Sequence, residues 1–159
     1  MALVDYANRK YDYLALRNVR PTGEVRLGLE LFNENDAGQI AVGVQKLSQR
    51  WLLEFLTDRG SMLGLPNRGT SFIQNMRSGA ARSSGDVLIL FDLAAFDAAV
   101  NLQEEEDDTW PADERLEYAA LTGVEFIPGY VNLRVEIASA AGPARSIILP
   151  ISVLPQNIG

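Results

Sequence analysis

The sequence predicts an α+β fold: one domain built on a mostly antiparallel sheet, with an N-terminal β-meander, three to four short helices and a C-terminal β-hairpin. A chain of 159 residues with 47% hydrophobic content has the size of one domain and enough apolar side chains for a core. Apolar residues alternate near both ends of the chain, whereas in the middle they recur every three or four positions. We therefore divide this single domain into an N-terminal β-meander extension, residues 1–42, and a core, residues 43–159.

The N-terminal extension has the pattern of short strands. Residues 11–19 alternate and contain many aromatic and aliphatic types, and Pro21-Thr22-Gly23 supplies a turn. Residues 24–32 then place valine and leucine on one side and mostly charged residues on the other, which predicts a half-buried strand. A short strand at residues 39–42 completes the predicted meander.

Four helices are predicted after the meander, the first and third of them from helical spacing of apolar residues. They cover residues 45–55, 70–77, 87–102 and 112–121. The apolar stripe around Trp51 in the first helix is expected in the core, because stripes of aliphatic and aromatic residues normally pack there. Ser84 or Asp86 is the expected cap of the third helix, and Pro111 suits the start of the fourth.

Five adjacent acids, Glu104-Glu105-Glu106-Asp107-Asp108, follow the third predicted helix. They repel one another and lie at the unfavourable end of the helix dipole, which predicts that the helix ends or frays there in a solvated loop. The run lacks the spaced acids and the glycine of a calcium-binding loop. A surface for a basic partner is the other role that the run could have.

The C-terminal region predicts two strands, residues 124–139 and 145–153, joined by a turn at residues 140–143. Pro128-Gly129 interrupts the first of them. In the second, four apolar residues alternate: Ile147, Leu149, Ile151 and Val153. The prolines of this region favour an edge position, because proline cannot donate to a central ladder. The strand could close the sheet or offer its free edge to a partner strand.

Composition excludes most common catalytic and metal-binding arrangements. With no cysteine and no histidine, the sequence cannot form disulfides, thiol nucleophiles, imidazole bases or the usual zinc sites. A net charge of −7 argues against nucleic acid as a partner. No stretch approaches the roughly 18 apolar residues of a membrane span, and the first ten residues lack a signal-peptide core. We therefore expect a soluble protein without a cofactor, a metal or a membrane contact.

Charge is divided unevenly along the sequence. Residues 1–82 hold 11 basic and 8 acidic side chains, a charge of +3, while residues 83–159 hold 3 and 13, a charge of −10. Such a dipolar chain can favour oriented docking between protein subunits. Alternatively, the two halves mix in space and neutralise each other within the fold.

A compact motif follows the first predicted helix: Leu56-Thr57-Asp58-Arg59-Gly60, five further residues, then Pro66-Asn67-Arg68-Gly69. Gly60 suits a left-handed residue past the last helical turn, and Arg59 suits the negative end of the helix dipole. Pro66 keeps the next segment from rejoining the helix. Helix termination by itself thus explains the residue types, but it does not explain the spacing.

The spacing resembles that of the small wedge protein, or sheath initiator, of contractile phage-tail baseplates, a family historically labelled lysozyme-like. The positions that match the family motif are Leu56, Thr57, Gly60, Pro66, Gly69 and Phe72. A strand at residues 38–42 and a helix at residues 45–55 precede the motif, as in that family. Ser61 and Leu65 replace the family's usual acidic and basic residues, and residues 125–129 lack its Glu-Pro-Arg element.

The resemblance implies a structural virion protein without enzymatic activity, which joins the baseplate wedge and templates the first sheath ring by β-strand addition. The implied partners are other wedge subunits, the tail sheath protein and tube-proximal baseplate proteins. The protein would be made and assembled in the host cytoplasm and then reside in the tail baseplate. The predicted sheath-binding edge strand is the one with Ile147, Leu149, Ile151 and Val153. Arg59 and Arg68 are candidates for wedge contacts, or for capping carbonyls within the subunit.

Carboxylates leave one enzymatic alternative, a small glycan hydrolase. Such an enzyme needs two carboxyl groups roughly 5–10 Å apart, one of them with a pKa raised by burial. Glu125 has apolar neighbours in sequence, although alternation places it on the solvent side of its strand, and Glu54 lies on the polar face of its helix. The acids at 104–108 are poor candidates because we expect them to be solvated. The sequence therefore predicts no catalytic residue.

Overall fold

The computed structural model describes residues 12–13, 16–18, 27–29 and 40–153. These residues form one α+β domain, so the predicted fold class is confirmed. The elements are β1 Asp12–Tyr13, β2 Leu16–Asn18, β3 Leu27–Leu29, β4 Ile40–Ala41, α1 Gly43–Leu56, α2 Phe72–Arg77, α3 Ser84–Glu105, a 3₁₀ turn Ala112–Glu114, β5 Leu116–Ile127, β6 Tyr130–Ser139 and β7 Ala144–Ser152. Among the described helices, none combines the length and the apolar composition of a membrane-spanning segment.

The four N-terminal strands form two small antiparallel pairs. β1 pairs with β4, and β2 pairs with β3, where Gly28 lies opposite Arg17. Short antiparallel strands therefore occur within the predicted meander. The predicted turn at residues 21–23 and the rest of the predicted strands lie outside the described residues. The division of the domain at residue 42 stays a prediction.

An aromatic cluster joins the helices. The Trp51 and Phe55 rings of α1 stack with centroids 4.5 Å apart, and Phe91 of α3 lies 5.1 Å from Phe55. Phe72, the first residue of α2, lies 4.8 Å from Phe55. These buried rings contribute a large apolar area to the core. Their tilted and stacked arrangements are those that aromatic pairs prefer. The predicted core position of the Trp51 stripe is confirmed.

A capping box starts α3. The Ser83 side chain accepts a hydrogen bond from the Asp86 backbone at 3.2 Å, and Asp86 in turn accepts one from the Ser83 backbone at 3.0 Å. The cap is therefore Ser83 rather than the expected Ser84 or Asp86, and Asp86 is its partner at the third helical position. At its other end α3 stops at Glu105, within the acidic run, as the sequence predicts.

The C-terminal half folds into a three-stranded antiparallel sheet in the order β5-β6-β7. The apolar residues of β6 at positions 131, 133, 135 and 137 are buried, as their alternation predicts. α3 packs mainly on β5, and α1 packs on β6 and β7, so both helices cover the same face of the sheet. The predicted hairpin turn at residues 140–143 connects β6 to β7.

The predicted helix at residues 112–121 is wrong. Only the 3₁₀ turn forms there, and residues from Leu116 onward belong to β5. β5 pairs with β6 along its whole length, from Leu116 opposite Ser139 to Ile127 opposite Tyr130. Pro128-Gly129 is thus the turn of a second hairpin rather than an interruption of one strand. Pairing with β6 decides the structure here, because strand formation depends on neighbouring strands more than on local propensity.

Candidate functional site

The motif after α1 forms a loop whose two ends pair with each other. Thr70 donates its backbone N–H to the Thr57 carbonyl at 2.8 Å, and Arg59 donates its own to the Thr70 carbonyl at 3.0 Å. Asp58 and Thr70 form a parallel β-bridge. The Thr70 hydroxyl also donates to the Phe55 carbonyl at 2.7 Å, near the end of α1. We call residues 58–69 the motif loop.

Gly69 allows the two ends of the motif loop to approach. Its φ is +84°, and a Cβ at this position would lie 3.0 Å from the carbonyl carbon of Thr57 and 3.1 Å from that of Asp58. A residue with a side chain does not fit there unless the backbone moves. Loop closure therefore explains the glycine at position 69, which helix termination leaves unexplained.

Gly60 has a different role from the one expected. α1 ends at Leu56 and its cap is Thr57, whose N–H and hydroxyl both donate to the Leu53 carbonyl, at 3.1 and 2.5 Å. Gly60 has a φ of +80° and lies inside the motif loop, three residues beyond the cap. The glycine therefore shapes the loop and does not terminate the helix. Pro66 is exposed in the same loop.

Glu54 holds the closing end of the motif loop. Its Oε1 accepts hydrogen bonds from the Gly69 backbone and from Asn101 Nδ2, each at 2.7 Å. Its Oε2 accepts two from Arg68, from Nη2 at 2.6 Å and from Nε at 2.9 Å. The Glu54 side chain is only 4% exposed. One carboxylate thus joins α1, the motif loop and α3.

The hydrogen bonds to Glu54 outweigh its burial. Burial raises the pKa of the carboxyl group, but the bonds from Arg68, Gly69 and Asn101 stabilise the ionised form and bring the pKa below its ordinary value. An ionised carboxylate with four accepted hydrogen bonds is a structural anchor. The arrangement is the reverse of a general acid, which needs a raised pKa.

We expect the anchor at Glu54 to weaken in acid. Because the folded-state pKa lies below the ordinary value of 4.5, this group stabilises the fold above that pH and loses its contribution as the pH falls through the folded-state pKa. Urea unfolding of the wild type and of Glu54→Gln from about pH 7 to pH 3 measures the effect. The difference between their free energies of unfolding should shrink toward the acid end. A difference independent of pH would contradict this role.

Both arginines of the motif pair with carboxylates of this chain. Arg59 Nη2 lies 2.7 Å from Asp97 Oδ2 on α3. Arg68 pairs with Glu54 and, through Nη1, with Glu105 at the end of α3. In the described contacts, these two side chains therefore form ion pairs with carboxylates and do not cap helix carbonyl groups. Their role in wedge contacts stays a prediction, and Arg59 keeps a substantial exposed fraction.

The polar face of α1 is buried under the segment that follows α3. Lys46 Nζ lies 2.7 Å from Glu114 Oε2, with both side chains nearly inaccessible. Arg50 donates to Glu106 Oε1 at 3.0 Å and lies over the Trp110 ring, 4.2 Å from its centroid. The prediction of a solvated acidic run is therefore wrong for Glu106, whose side chain is 4% exposed.

The uneven charge of the sequence is partly neutralised within the fold. Four cations of the basic half pair with acids of the acidic half, and these cations are Lys46, Arg50, Arg59 and Arg68. For these residues the two halves mix in space, which is the second of the two alternatives considered for the charge pattern. Ion pairs between distant segments also help to fix how the helices and the motif loop pack together.

The C-terminal strand β7 lies at one edge of the sheet, as expected. The side chains of Ile147, Leu149 and Ile151 are buried in the core, and Val153 is half-buried. These four residues therefore offer a partner no exposed apolar row. The groups of this edge that a partner strand could bind are instead the backbone N–H and C=O groups of the even-numbered residues.

Two hydrogen bonds establish which backbone groups of β7 point outward. Val153 donates to the Gly129 carbonyl at 3.1 Å, and Ser139 donates to the Pro143 carbonyl at 3.0 Å. Both bonds agree with the β6–β7 register, and in an antiparallel pair only alternate residues bond to the partner strand. The odd-numbered residues of β7 thus face β6, and the even-numbered residues point their N–H and C=O groups away from it.

Pro150 occupies one of the outward positions of β7. Its missing N–H therefore costs no hydrogen bond to β6, which explains why a proline is tolerated within this strand. Pro150 therefore removes one hydrogen-bond donor from the free edge. The outward N–H groups of Ala144, Ser146 and Ile148, which precede Pro150, remain. The opposite edge, β5, is interrupted twice by register shifts, whereas β7 pairs without a shift.

The outer face of the sheet has an open concavity of about 430 Å³ lined by Glu125, the acid considered for catalysis. Glu125 is exposed, as expected, and accepts a hydrogen bond from Asn132 Nδ2 at 3.5 Å. It is the single carboxylate among the described residues that line this concavity. No three acidic residues of the described chain are grouped as metal ligands.

The motif loop has an apolar tip. Met62, Leu63 and Leu65 are all exposed, and Leu63 is completely so. The loop that carries them is held at its base by Glu54 and by the Thr57–Thr70 backbone bonds. Exposed apolar side chains on an ordered loop are typical of a contact surface for another protein.

Sequence reasoning missed the central part played by Glu54 and the contribution of Asn101. The sequence did contain a signal for the ion pairs of Lys46 and Arg50, namely basic residues on the polar face of α1 and acids after α3. It contained no such signal for Glu54, whose partners Arg68 and Asn101 lie 14 and 47 residues further along the chain. No family model, curated protein or solved structure matches this chain.

Proposed function

We propose that this protein is a structural subunit of a contractile phage-tail baseplate, which joins the wedge and templates the first sheath ring by β-strand addition. The main observation behind this proposal is the free edge of β7, a nine-residue strand that no other described strand pairs with on that side. An unpaired edge of this kind offers its N–H and C=O groups to an incoming strand. The motif spacing supplies the resemblance to the sheath-initiator family.

In this proposal, a sheath strand would bind along the free edge of β7. Ala144, Ser146 and Ile148 each point both a donor and an acceptor outward, so an incoming strand can form a regular ladder along residues 144–148, about 14 Å. Pro150 lacks the next donor and ends the regular part of that ladder. Backbone bonds would supply attachment, and the position of Pro150 would limit the register of the added strand.

The motif loop provides a second contact surface in this proposal. Its exposed tip, with Leu63 at the most accessible position, would pack against a neighbouring wedge subunit. Because Glu54 and Gly69 hold the base of the loop, the tip would not need to become ordered on binding, and a preformed loop loses less entropy. Residence in the virion and assembly in the host cytoplasm are part of the same proposal.

Proline substitution tests strand addition directly. Ile148→Pro removes an outward donor without removing a bond to β6, so the variant should fold while strand addition is lost. Ile148→Ala is the matched control, because it removes the exposed side chain and keeps the N–H. The proposal expects a sheath gene beside this one, and its product is the probe. Binding is measured by co-purification and by sheath polymerisation on the complex.

Two results would contradict the proposal. One is equal sheath binding by the proline and alanine variants, which would exclude strand addition at β7. The other is a gene neighbourhood without tube, sheath and wedge genes. Circular dichroism of both variants confirms that any loss is not due to unfolding.

The glycan-hydrolase alternative has weaker physical support. Such an enzyme needs a pair of carboxyl groups in one cleft, whereas Glu125 is the single acid lining its concavity and Glu54 is committed to the motif loop with a lowered pKa. Sugar release from a cell-wall preparation that disappears in Glu125→Gln would favour the enzyme and overturn the structural proposal.

A further inference from the structure

α3 is apolar on two opposite sides. One side packs in the core around Phe91, and the other carries four exposed apolar residues: Ile89, Leu93, Phe96 and Val100, with exposed fractions of 62%, 64%, 70% and 38%. Phe91 and Val100 are separated by about two and a half helical turns, which puts them on opposite sides of the helix. We call these four residues the α3 seam.

The α3 seam has the spacing of a helix–helix contact. Its members follow one another at intervals of four, three and four residues, which keeps them on a narrow stripe about 16 Å long. An apolar side of a helix is normally buried against another part of the protein. Here the core covers only one side, so the seam is a contiguous exposed apolar patch of the kind that marks a protein-binding site.

Charge identifies the kind of partner that fits the seam. α3 contains no lysine or arginine, and acids flank the seam on both sides: Asp92 on one, Asp97 and Glu104 on the other. Arg59 already neutralises Asp97, whereas Asp92 and Glu104 are exposed. A second copy of α3 would place acids opposite acids, which is unfavourable, and an anionic membrane surface would be repelled for the same reason.

We propose that the α3 seam binds an amphipathic helix of another subunit whose apolar stripe is flanked by lysine and arginine. The inference rests on the proposed function in one respect, that this protein works by binding neighbouring proteins. It adds a second binding mode, because the seam takes a helix while the edge of β7 takes a strand.

Three synthetic helical peptides test the seam with the full chain. The first has leucines at the two core positions of a heptad and lysines beside them, the second has glutamates in place of those lysines, and the third has the composition of the first in scrambled order. We expect the first peptide to bind at least tenfold more tightly than either of the others, by titration calorimetry at low salt. Its affinity should fall as salt is added, since the flanking contacts are charged.

Variants locate the binding. Phe96→Gln should weaken binding of the basic peptide at least tenfold, because exposed aromatic residues at the centre of a contact contribute most to affinity. Leu88→Gln is the matched control, since Leu88 is exposed on α3 but lies beside the seam, and it should bind within a factor of two of the wild type. Asp92→Lys combined with Glu104→Lys should reverse the preference toward the acidic peptide.

Equal binding of the basic, acidic and scrambled peptides would overturn the inference, as would an unchanged affinity in Phe96→Gln. Dimerisation of the wild type that Phe96→Gln abolishes would also overturn it, because the occupant would then be a second copy. Binding of neutral or anionic vesicles through the seam would assign it to a membrane instead. Since Ile148→Pro should leave peptide binding intact and Phe96→Gln should leave strand addition intact, failure of one proposal can be distinguished from failure of the other.

Discussion

Replacing Gly69 with alanine is expected to lower the free energy of unfolding by about 2–5 kcal/mol. The alanine would need a left-handed backbone at a φ of +84°, and its Cβ would overlap the backbone of Thr57 and Asp58. Relieving that overlap separates the two ends of the motif loop and weakens the bond from Gly69 to Glu54. Chemical denaturation measures the loss, and proteolysis within residues 58–69 should become faster.

Gly64 supplies the matched control for Gly69. It lies in the same loop with a φ of +79°, but nothing lies within 4 Å of a Cβ built there. Gly64→Ala should therefore show only the cost of the left-handed backbone, about 1–2 kcal/mol. Equal losses in the two variants would mean that closure of the loop at Gly69 is not under steric constraint.

Replacing Glu54 with glutamine is expected to cost about 2–4 kcal/mol at neutral pH. The glutamine oxygen can still accept a hydrogen bond from Gly69, but the side-chain NH2 group would then face the Arg68 guanidinium. Both of these groups are hydrogen-bond donors, so they cannot pair. Arg68 would then lose the partner that lies at 2.6 Å, in a site that is largely closed to solvent. Partial exposure of Arg68 keeps the expected loss below that of a fully buried pair.

Glu125→Gln is the matched control for Glu54→Gln, because it makes the same change at an exposed acid of the sheet. It should alter stability by no more than about 0.5 kcal/mol. A second check is the double variant Glu54→Gln/Arg68→Gln, which should be less destabilised than the sum of the single variants because the unpaired cation is gone. A Glu54→Gln loss no larger than that of Glu125→Gln would contradict the anchor.

Elements with a single strong period were predictable from the sequence. α1 and α3 were expected near their observed positions because their apolar residues recur at helical spacing, and the buried face of β6 was expected because Val131, Leu133 and their successors alternate. The edge position of β7 followed from its proline. In each case the pattern along the chain reports directly which side of the element meets the core.

Predictions failed where a distant segment decides the outcome. Residues 112–121 look helical in isolation, yet they join β6 in a sheet. Glu106 looks solvated within its acidic run, yet Arg50 reaches it from α1. The partner in each case is many residues away, and a local pattern contains no information about which of several possible partners will be adjacent in the fold.

The order of apolar and polar residues by itself determined the α+β class, the stripe of α1 that enters the core and the alternation of β6 and β7, because burial of apolar area acts on each element separately. Only the tertiary structure decided that Glu54 would accept hydrogen bonds from Arg68, Gly69 and Asn101. It also decided that the second apolar side of α3 would remain exposed. The physical reason is that hydrogen bonds and charge pairs need partners within a few ångströms, and proximity between segments far apart in sequence exists only after the chain has packed.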